Sequence, residues 1–331
     1  MEDFSSNRTE QQKAHRFEAM AEGIFARHGV DFATARRGGG WTNATWIAGG
    51  LVLRLATQPG SENLPREAKI AALLPPGVGY PRVIDSGVTG GHAWMLVKEL
   101  PGHSLGAAWE DLDWEARSIA VRGLWEKAQA VHTVSAESVE GVARTRAWFN
   151  SCDSNEADES LRRVVGQGYF TYHQGAVLRR LLASFWQALP KAKLVLVHGD
   201  LTFDNAMWHE DRVSALLDFE FALTAPIELD LNTLLCQAFF PDNRQPPYSN
   251  EEAAGREKLR TAAVDLARQV IDHPGGKDLL LGYAVLLDLW RFEDYLAHPE
   301  GEGPVETWDN YRRLKSLASG GGGWLADVVR E

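Results

Sequence analysis

Apolar residues at Ala14, Phe17, Ala21, Ile24 and Phe25 recur at three- and four-residue steps, which predicts a helix over residues 10–28 ended by Gly29. Residues 42–48 and 51–56 have strand character and flank Gly49-Gly50, a hairpin signal. A second helix is expected over 64–74, stopped by Pro75-Pro76. Strands over 82–88 and 93–97 follow, joined by Gly90-Gly91. The order helix, hairpin, helix, hairpin describes a small mixed sheet carrying one helix. Pro101-Gly102 breaks the pattern, and the chain beyond it is mainly helical. Helices are expected over 114–132, 144–165 (with an acidic interruption), 175–189, 251–271 and 279–297. Short strands over 194–197, 205–209 and 213–217 lie between them. The glycine stretch 319–323 reads as a flexible joint before a short amphipathic end. Two lobes result, residues 1–100 and 101–331, with the boundary near 100–104.

Composition narrows the class. Hydrophobic residues make up 44% of the 331 and charged residues 24%, which excludes disorder over most of the chain. The longest uncharged apolar run, 279–287, is far short of the roughly 20 residues a bilayer needs, so no membrane partner is expected. A net charge of −11 argues against nucleic acid and is compatible with a cationic small molecule. The polar first ten residues carry no apolar signal core, and a cytoplasmic protein is expected. Cys152 and Cys236 lie in no metal or redox spacing.

The informative stretch is Val197-His198-Gly199-Asp200-Leu201-Thr202-Phe203-Asp204-Asn205, between two apolar strands. Asp218 follows 13 residues later, within Leu217-Asp218-Phe219-Glu220. An aspartate, an asparagine and a second aspartate thus share one loop–strand–loop unit. Phosphoryl transfer needs this set: one carboxylate to orient and deprotonate a hydroxyl, and two oxygen ligands for magnesium. A hairpin between Asn205 and Asp218 brings the two metal ligands side by side.

His-Gly-Asp-Leu-x-x-x-Asn, then an apolar strand and Asp-Phe-Glu, resembles the aminoglycoside phosphotransferase family of the protein-kinase-like superfamily. The resemblance runs from about Arg37 to Leu235. It implies an α+β, protein-kinase-like two-lobe fold: a small N-terminal antiparallel sheet with a helix binds nucleotide, and a larger, mainly helical C-terminal lobe carries catalysis and substrate. It makes Asp200 the catalytic base and Asn205 and Asp218 the magnesium ligands, and leaves His198 largely structural. Arg54 stands where a kinase carries its phosphate-binding lysine, and Glu67 is its pairing acid. Gly38 to Gly40 with Thr42 and Asn43 would cover the phosphates. The Lys98 carbonyl and the Leu100 N–H would take the purine edge, and Asp230 would brace the catalytic loop. ATP and GTP both remain as donors, with Mg2+ as cofactor.

The acceptor is less well defined. On helix 279–297, Asp288, Glu293 and Asp294 could meet the amino groups of a cationic ligand, or form a solvated face. Asp153, Glu156, Asp158 and Glu159 form a second acidic cluster, and residues 237–247 could edge the cleft. The leading expectation is a kinase that phosphorylates a hydroxyl of an antibiotic-like molecule, most of all an aminoglycoside, and so inactivates it. The alternative keeps the chemistry for a sugar, a choline-like amino alcohol or a homoserine-like metabolite. A regulatory pseudokinase is disfavoured because every chemical position is filled.

Overall fold

The computed structural model describes residues 3–39, 42–147, 149, 153–239, 249–298 and 303–330. Helix α1 (Asp3–Arg27) leads into β1 (Arg36–Arg37), β2 (Asn43–Ala48) and β3 (Leu51–Ala56). Then come α2 (Asn63–Ala71), β4 (Val83–Thr89) and β5 (His92–Lys98). The five strands form one sheet in the order β1-β2-β3-β5-β4, and every pair is antiparallel. Ala21, Ile24 and Phe25 of α1 pack on one face with Trp46, Leu53 and Leu55. Burying each such large side chain contributes about 1.5–3 kcal/mol. Since Leu53 and Leu55 are buried in that core, the strand period of two turns Arg54 to the other face, where the cleft lies.

The chain continues through β6 (His103–Ser104), α3 (Leu105–Ala108), α4 (Trp114–Val131), α5 (Ser154–Gly166) and α6 (Tyr172–Ala188). Next are β7 (Val195–Val197), β8 (Ala206–His209), β9 (Arg212–Leu216) and β10 (Leu223–Ala225). Helices α7 (Glu228–Phe239), α8 (Asn250–Val270), α9 (Gly276–Ala297), α10 (Asp309–Ala318) and α11 (Ala326–Val329) complete the fold. Strands β6, β8 and β9 pair in that order, and β7 pairs with β10. Both small sheets are antiparallel and flank the loops that carry the motif residues. The larger core also takes in Ile70 and Val78 from the N-terminal part of the chain. Among the described residues no helix is long and apolar enough to cross a membrane.

Two local expectations are corrected. The helix expected over 144–165 begins only at Ser154, where the Asp153 carboxylate caps it by accepting from the Asn155 and Glu156 N–H groups. Arg144 is instead extended, bridged in parallel to Leu223, with its N–H on the Ala222 carbonyl. The glycine stretch 319–323 is a packed turn rather than a free joint, because Trp324, Leu325 and Val328 beyond it are buried in the main core.

Candidate active site

A cleft of about 1050 Å³ separates the large sheet from the β8–β9 hairpin. Its lining includes Thr42, Asn43, Arg54, Tyr80, Asp200, Asn205 and Asp218, with Lys98 and Leu100 at the connection between the lobes. The Lys98 N–H donates to the Arg82 carbonyl and the Glu99 N–H to the Gly50 carbonyl, both at 2.9 Å. These bonds hold the connecting segment against the sheet.

The loop that carries Asp200 is built from the backbone outward. Gly199 has φ 81°, and a Cβ there would lie 2.4 Å from the Phe221 carbonyl oxygen, so the position requires glycine. Asp230, in the first turn of α7, reaches back to this loop. Its Oδ2 accepts from the His198 N–H and its Oδ1 from the Gly199 N–H, each at 2.9 Å. His132 Nε2 also meets Oδ2, at 2.9 Å. Burial works against the Asp230 charge, but His132 and the loop N–H outweigh it and hold the carboxyl below its ordinary range. His198 bridges two loops: Nδ1 accepts from the Asp200 N–H at 3.3 Å, and Nε2 donates to the Leu217 carbonyl at 2.8 Å. Both ring nitrogens are occupied, so the ring sets loop geometry and offers no free base.

Asp200 is held by its neighbour. Asn205 Nδ2 donates to the Asp200 carbonyl oxygen at 2.9 Å and to its Oδ2 at 3.0 Å. The amide nitrogen of Asn205 is therefore spent, and its carbonyl oxygen is the atom left for a cation. Burial raises the Asp200 pKa, and His198, Arg291 and Asn205 oppose the rise. Asp218 adopts the left-handed conformation, φ 59° and ψ 68°, at the end of the β8–β9 unit. Its Oδ1 accepts from Arg54 Nη2 at 2.8 Å, and its side chain is 32% exposed. Arg54 Nη1 donates to Glu67 Oε1 at 2.6 Å, so one guanidinium spans the helix acid and the loop acid. Burial disfavours the Arg54 charge, but Glu67 and Asp218 override it and raise its pKa further. Burial pushes the Glu67 pKa up, and Arg54 opposes this.

Thr42 and Asn43 line the cleft, but the Thr42 hydroxyl donates to Glu220 Oε2 at 3.3 Å and Asn43 Nδ2 donates to Thr42 Oγ1 at 3.1 Å. Of the glycine run, Gly38 donates to the Thr45 carbonyl at 3.0 Å and Gly39 lines the cleft. Gly40 and Trp41 lie outside the described residues, as does most of 237–247.

The acidic residues expected to meet the acceptor are placed elsewhere. Asp288 is 1% exposed and gripped by Arg313 of α10, whose Nε donates at 3.0 and 2.9 Å and whose Nη2 donates at 2.5 Å. A carboxylate that deep requires a partner, and the partner is internal. Glu293 accepts from Arg163 Nε of α5 at 2.9 Å. Asp294 sits 3.4 Å from His298, the residue that follows its helix. None of the three lines the cleft. The second acidic cluster is likewise ion-paired: Glu156 with Arg146, Asp158 with Arg162 and Arg179, and Glu159 with Arg163.

Motif spacing gave no role to four residues. Glu220 is buried, and burial and then Asp218 push its pKa up to about 7. Asn63 Nδ2 donates to Glu220 Oε2 at 3.3 Å, and Arg144 Nη2 donates to Asn63 Oδ1 at 3.0 Å. Tyr80 donates to Glu67 Oε1 at 2.9 Å. The only local signals were an acid two residues past Asp218 and a tyrosine between Gly79 and Pro81.

This two-lobed, α+β arrangement is the protein-kinase-like fold, and solved structures share it. A thermostable mutant of aminoglycoside phosphotransferase APH(4)-Ia, in ternary complex with ADP and hygromycin B, matches with a TM-score of 0.62 at 14% identity. The match covers 91% of this chain and 98% of that one. The GDP complex of aminoglycoside 2'-phosphotransferase-IIIa matches with a TM-score of 0.60 at 16% identity, over 92% and 98% of the two chains. Macrolide 2'-phosphotransferase MphH from Brachybacterium faecium matches with a TM-score of 0.56 at 20% identity, over 95% and 98%. The model of the phosphotransferase enzyme family, APH, matches residues 33–267, and the chain belongs to that family. No curated protein matches the chain significantly.

Proposed function

We propose that the protein is a small-molecule kinase that moves the γ-phosphoryl group of ATP or GTP to a hydroxyl of an antibiotic-like acceptor, with aminoglycosides the first class to test. The observation that carries this reading is the convergence of Asp200, Asn205, Asp218 and Arg54 on one cleft. Asp200 orients the acceptor hydroxyl and takes its proton as the new oxygen–phosphorus bond forms. The bond to the leaving nucleoside diphosphate breaks in the same transfer, with no phospho-enzyme. The Asn205 carbonyl oxygen and the Asp218 carboxylate are hard oxygen donors, which suit magnesium. When bound, magnesium neutralises charge on the phosphates. Among the described residues no group of three or more His, Cys, Asp or Glu is placed to hold a metal ion. Asn205 and Asp218 would be its two protein ligands. Arg54 turns from Asp218 to the phosphates while keeping its bond to Glu67. The Lys98 carbonyl and the Leu100 N–H receive the purine edge, and Thr42 and Asn43 border the phosphates. The ADP, GDP and hygromycin B complexes of the fold neighbours support a nucleotide and an antibiotic in this cleft.

A second reading has its own observation. Asp288 and Glu293, expected to bind a polycation, are held by arginines. That favours an acceptor of low positive charge, such as a macrolide-like antibiotic or a hydroxylated metabolite. A coupled nucleotide-consumption assay with magnesium, run separately with ATP and GTP, decides between them. Stimulation by aminoglycosides supports the first reading. Response to macrolides or metabolites alone supports the second, and loss of stimulation without magnesium supports the metal assignment. Silence across the panel, together with no nucleotide binding, overturns both readings.

A further inference from the structure

Tyr80 is not part of the motif, yet it touches the charge chain at its centre. It follows the turn Pro76–Val78, whose Val78 is fully buried in the larger core. Gly79, with φ 76°, brings the backbone so close to β9 that a Cβ would lie 2.2 Å from the Ser214 carbonyl oxygen. The tyrosine is thus planted from the C-terminal side of the cleft and reaches toward α2. Its hydroxyl donates to Glu67 Oε1 at 2.9 Å, and its ring meets Phe219 edge-on at 5.6 Å and 76°. The same Oε1 accepts from Arg54 Nη1 at 2.6 Å and from the Phe219 N–H at 3.2 Å. Glu67 Oε2 is buried without a partner. All the stabilisation of this buried carboxylate therefore converges on one oxygen, and that fixes its orientation.

We propose that Tyr80 is a positioning residue for nucleotide binding: it holds Glu67 in place while Arg54 exchanges Asp218 for the phosphates. The inference rests on the kinase reading above. In the structure Arg54 is bonded to both acids. Arg54 keeps its bond to Glu67 as it turns, and the donors to Glu67 that do not themselves move are the Tyr80 hydroxyl and the Phe219 N–H. Tyr80 thereby ties the phosphate-binding cation to the residue next to Asp218.

The test is Tyr80→Phe, which keeps the ring and removes only the donor. Binding of ATP and GTP with magnesium is measured by calorimetry, and turnover with the best acceptor from the panel. The expected result is nucleotide affinity weaker by about tenfold, as for one hydrogen bond to a charged group. The KM of the acceptor should stay within about twofold, and the melting temperature within about 3 °C. A double-mutant cycle with Glu67→Gln supplies a readout that a merely structural role would not move. In that background Tyr80→Phe should change nucleotide affinity by less than about twofold. Unchanged affinity in Tyr80→Phe, or effects of the two substitutions that simply multiply, overturns the proposal. If the wild-type protein binds neither nucleotide, the kinase reading itself falls and takes the proposal with it, and the wild-type titration alone reveals this.

Discussion

Asp200 is a partly buried carboxylate with its Oδ2 held by Asn205, and Arg54 is a cation shared between two acids. Each arrangement predicts a separable loss. Asp200→Ala should lower kcat by at least about 100-fold while leaving nucleotide affinity largely intact, because it removes the carboxylate proposed as the base and neither of the proposed metal ligands. Equal turnover by the variant would remove Asp200 from the chemistry. Arg54→Lys should weaken nucleotide affinity by about tenfold, since a single ammonium cannot span Glu67 and Asp218 or grip phosphate with two parallel bonds. Titration calorimetry measures that loss directly. At this scale the spacing of Asp200, Asn205 and Asp218 was readable because one loop–strand–loop unit holds all three. Glu220, Asn63, Arg144 and Tyr80 were not, because their roles depend on partners far along the chain. Thr42 and Glu220 are 178 positions apart, and Arg144 and Asn63 are 81 apart.

Helices and strands carry these residues to their positions, and their ends were mostly readable from local chemistry. Asp113 caps α4 at its expected start, whereas the Thr171–Gln174 capping box starts α6 at Tyr172, ahead of the expected 175. The failure at Arg144 has a physical cause: it is bridged to Leu223 of β10 and donates to the Glu220 carbonyl, and tertiary pairing overrode helical periodicity. Helix α9 was placed correctly, but periodicity cannot say which neighbour a charged residue meets, and Arg313 had already taken Asp288. Helix α7 holds the loop that carries Asp200 through Asp230. Because its folded pKa is depressed, the stability that Asp230 contributes is present above its ordinary pKa of 3.8 and is lost as pH falls through the lower folded value. Asp230→Asn, which removes one partner of a buried pair, should cost about 3 kcal/mol near pH 7, and the gap to wild type should begin to narrow below about pH 4 and close only below the depressed folded value. Denaturant unfolding across that range checks both the size and the sign.

Across the whole molecule, the cleft works only if its two sides hold register. Asn63 links them: its amide donates to Glu220, and its carbonyl oxygen accepts from Arg144 and from Arg66. Ile70 and Val78 root the same N-terminal segment in the larger core. Asn63→Ala should raise the nucleotide KM by about threefold to tenfold and cost about 1–2 kcal/mol of stability. A KM within error of wild type would show that this contact does not hold the cleft. Most of the element order and the spacing of Asp200, Asn205 and Asp218 follow from local pattern, and the kinase-like plan follows from the family resemblance that those motif residues carry. Periodicity, caps and turn residues act over a few positions, and a loop motif is contiguous. Which acids are neutralised, which tyrosine pins Glu67 and which face of α9 turns inward were decided by packing. Those outcomes depend on distant segments competing for the same buried charge, and a linear pattern holds no record of that competition.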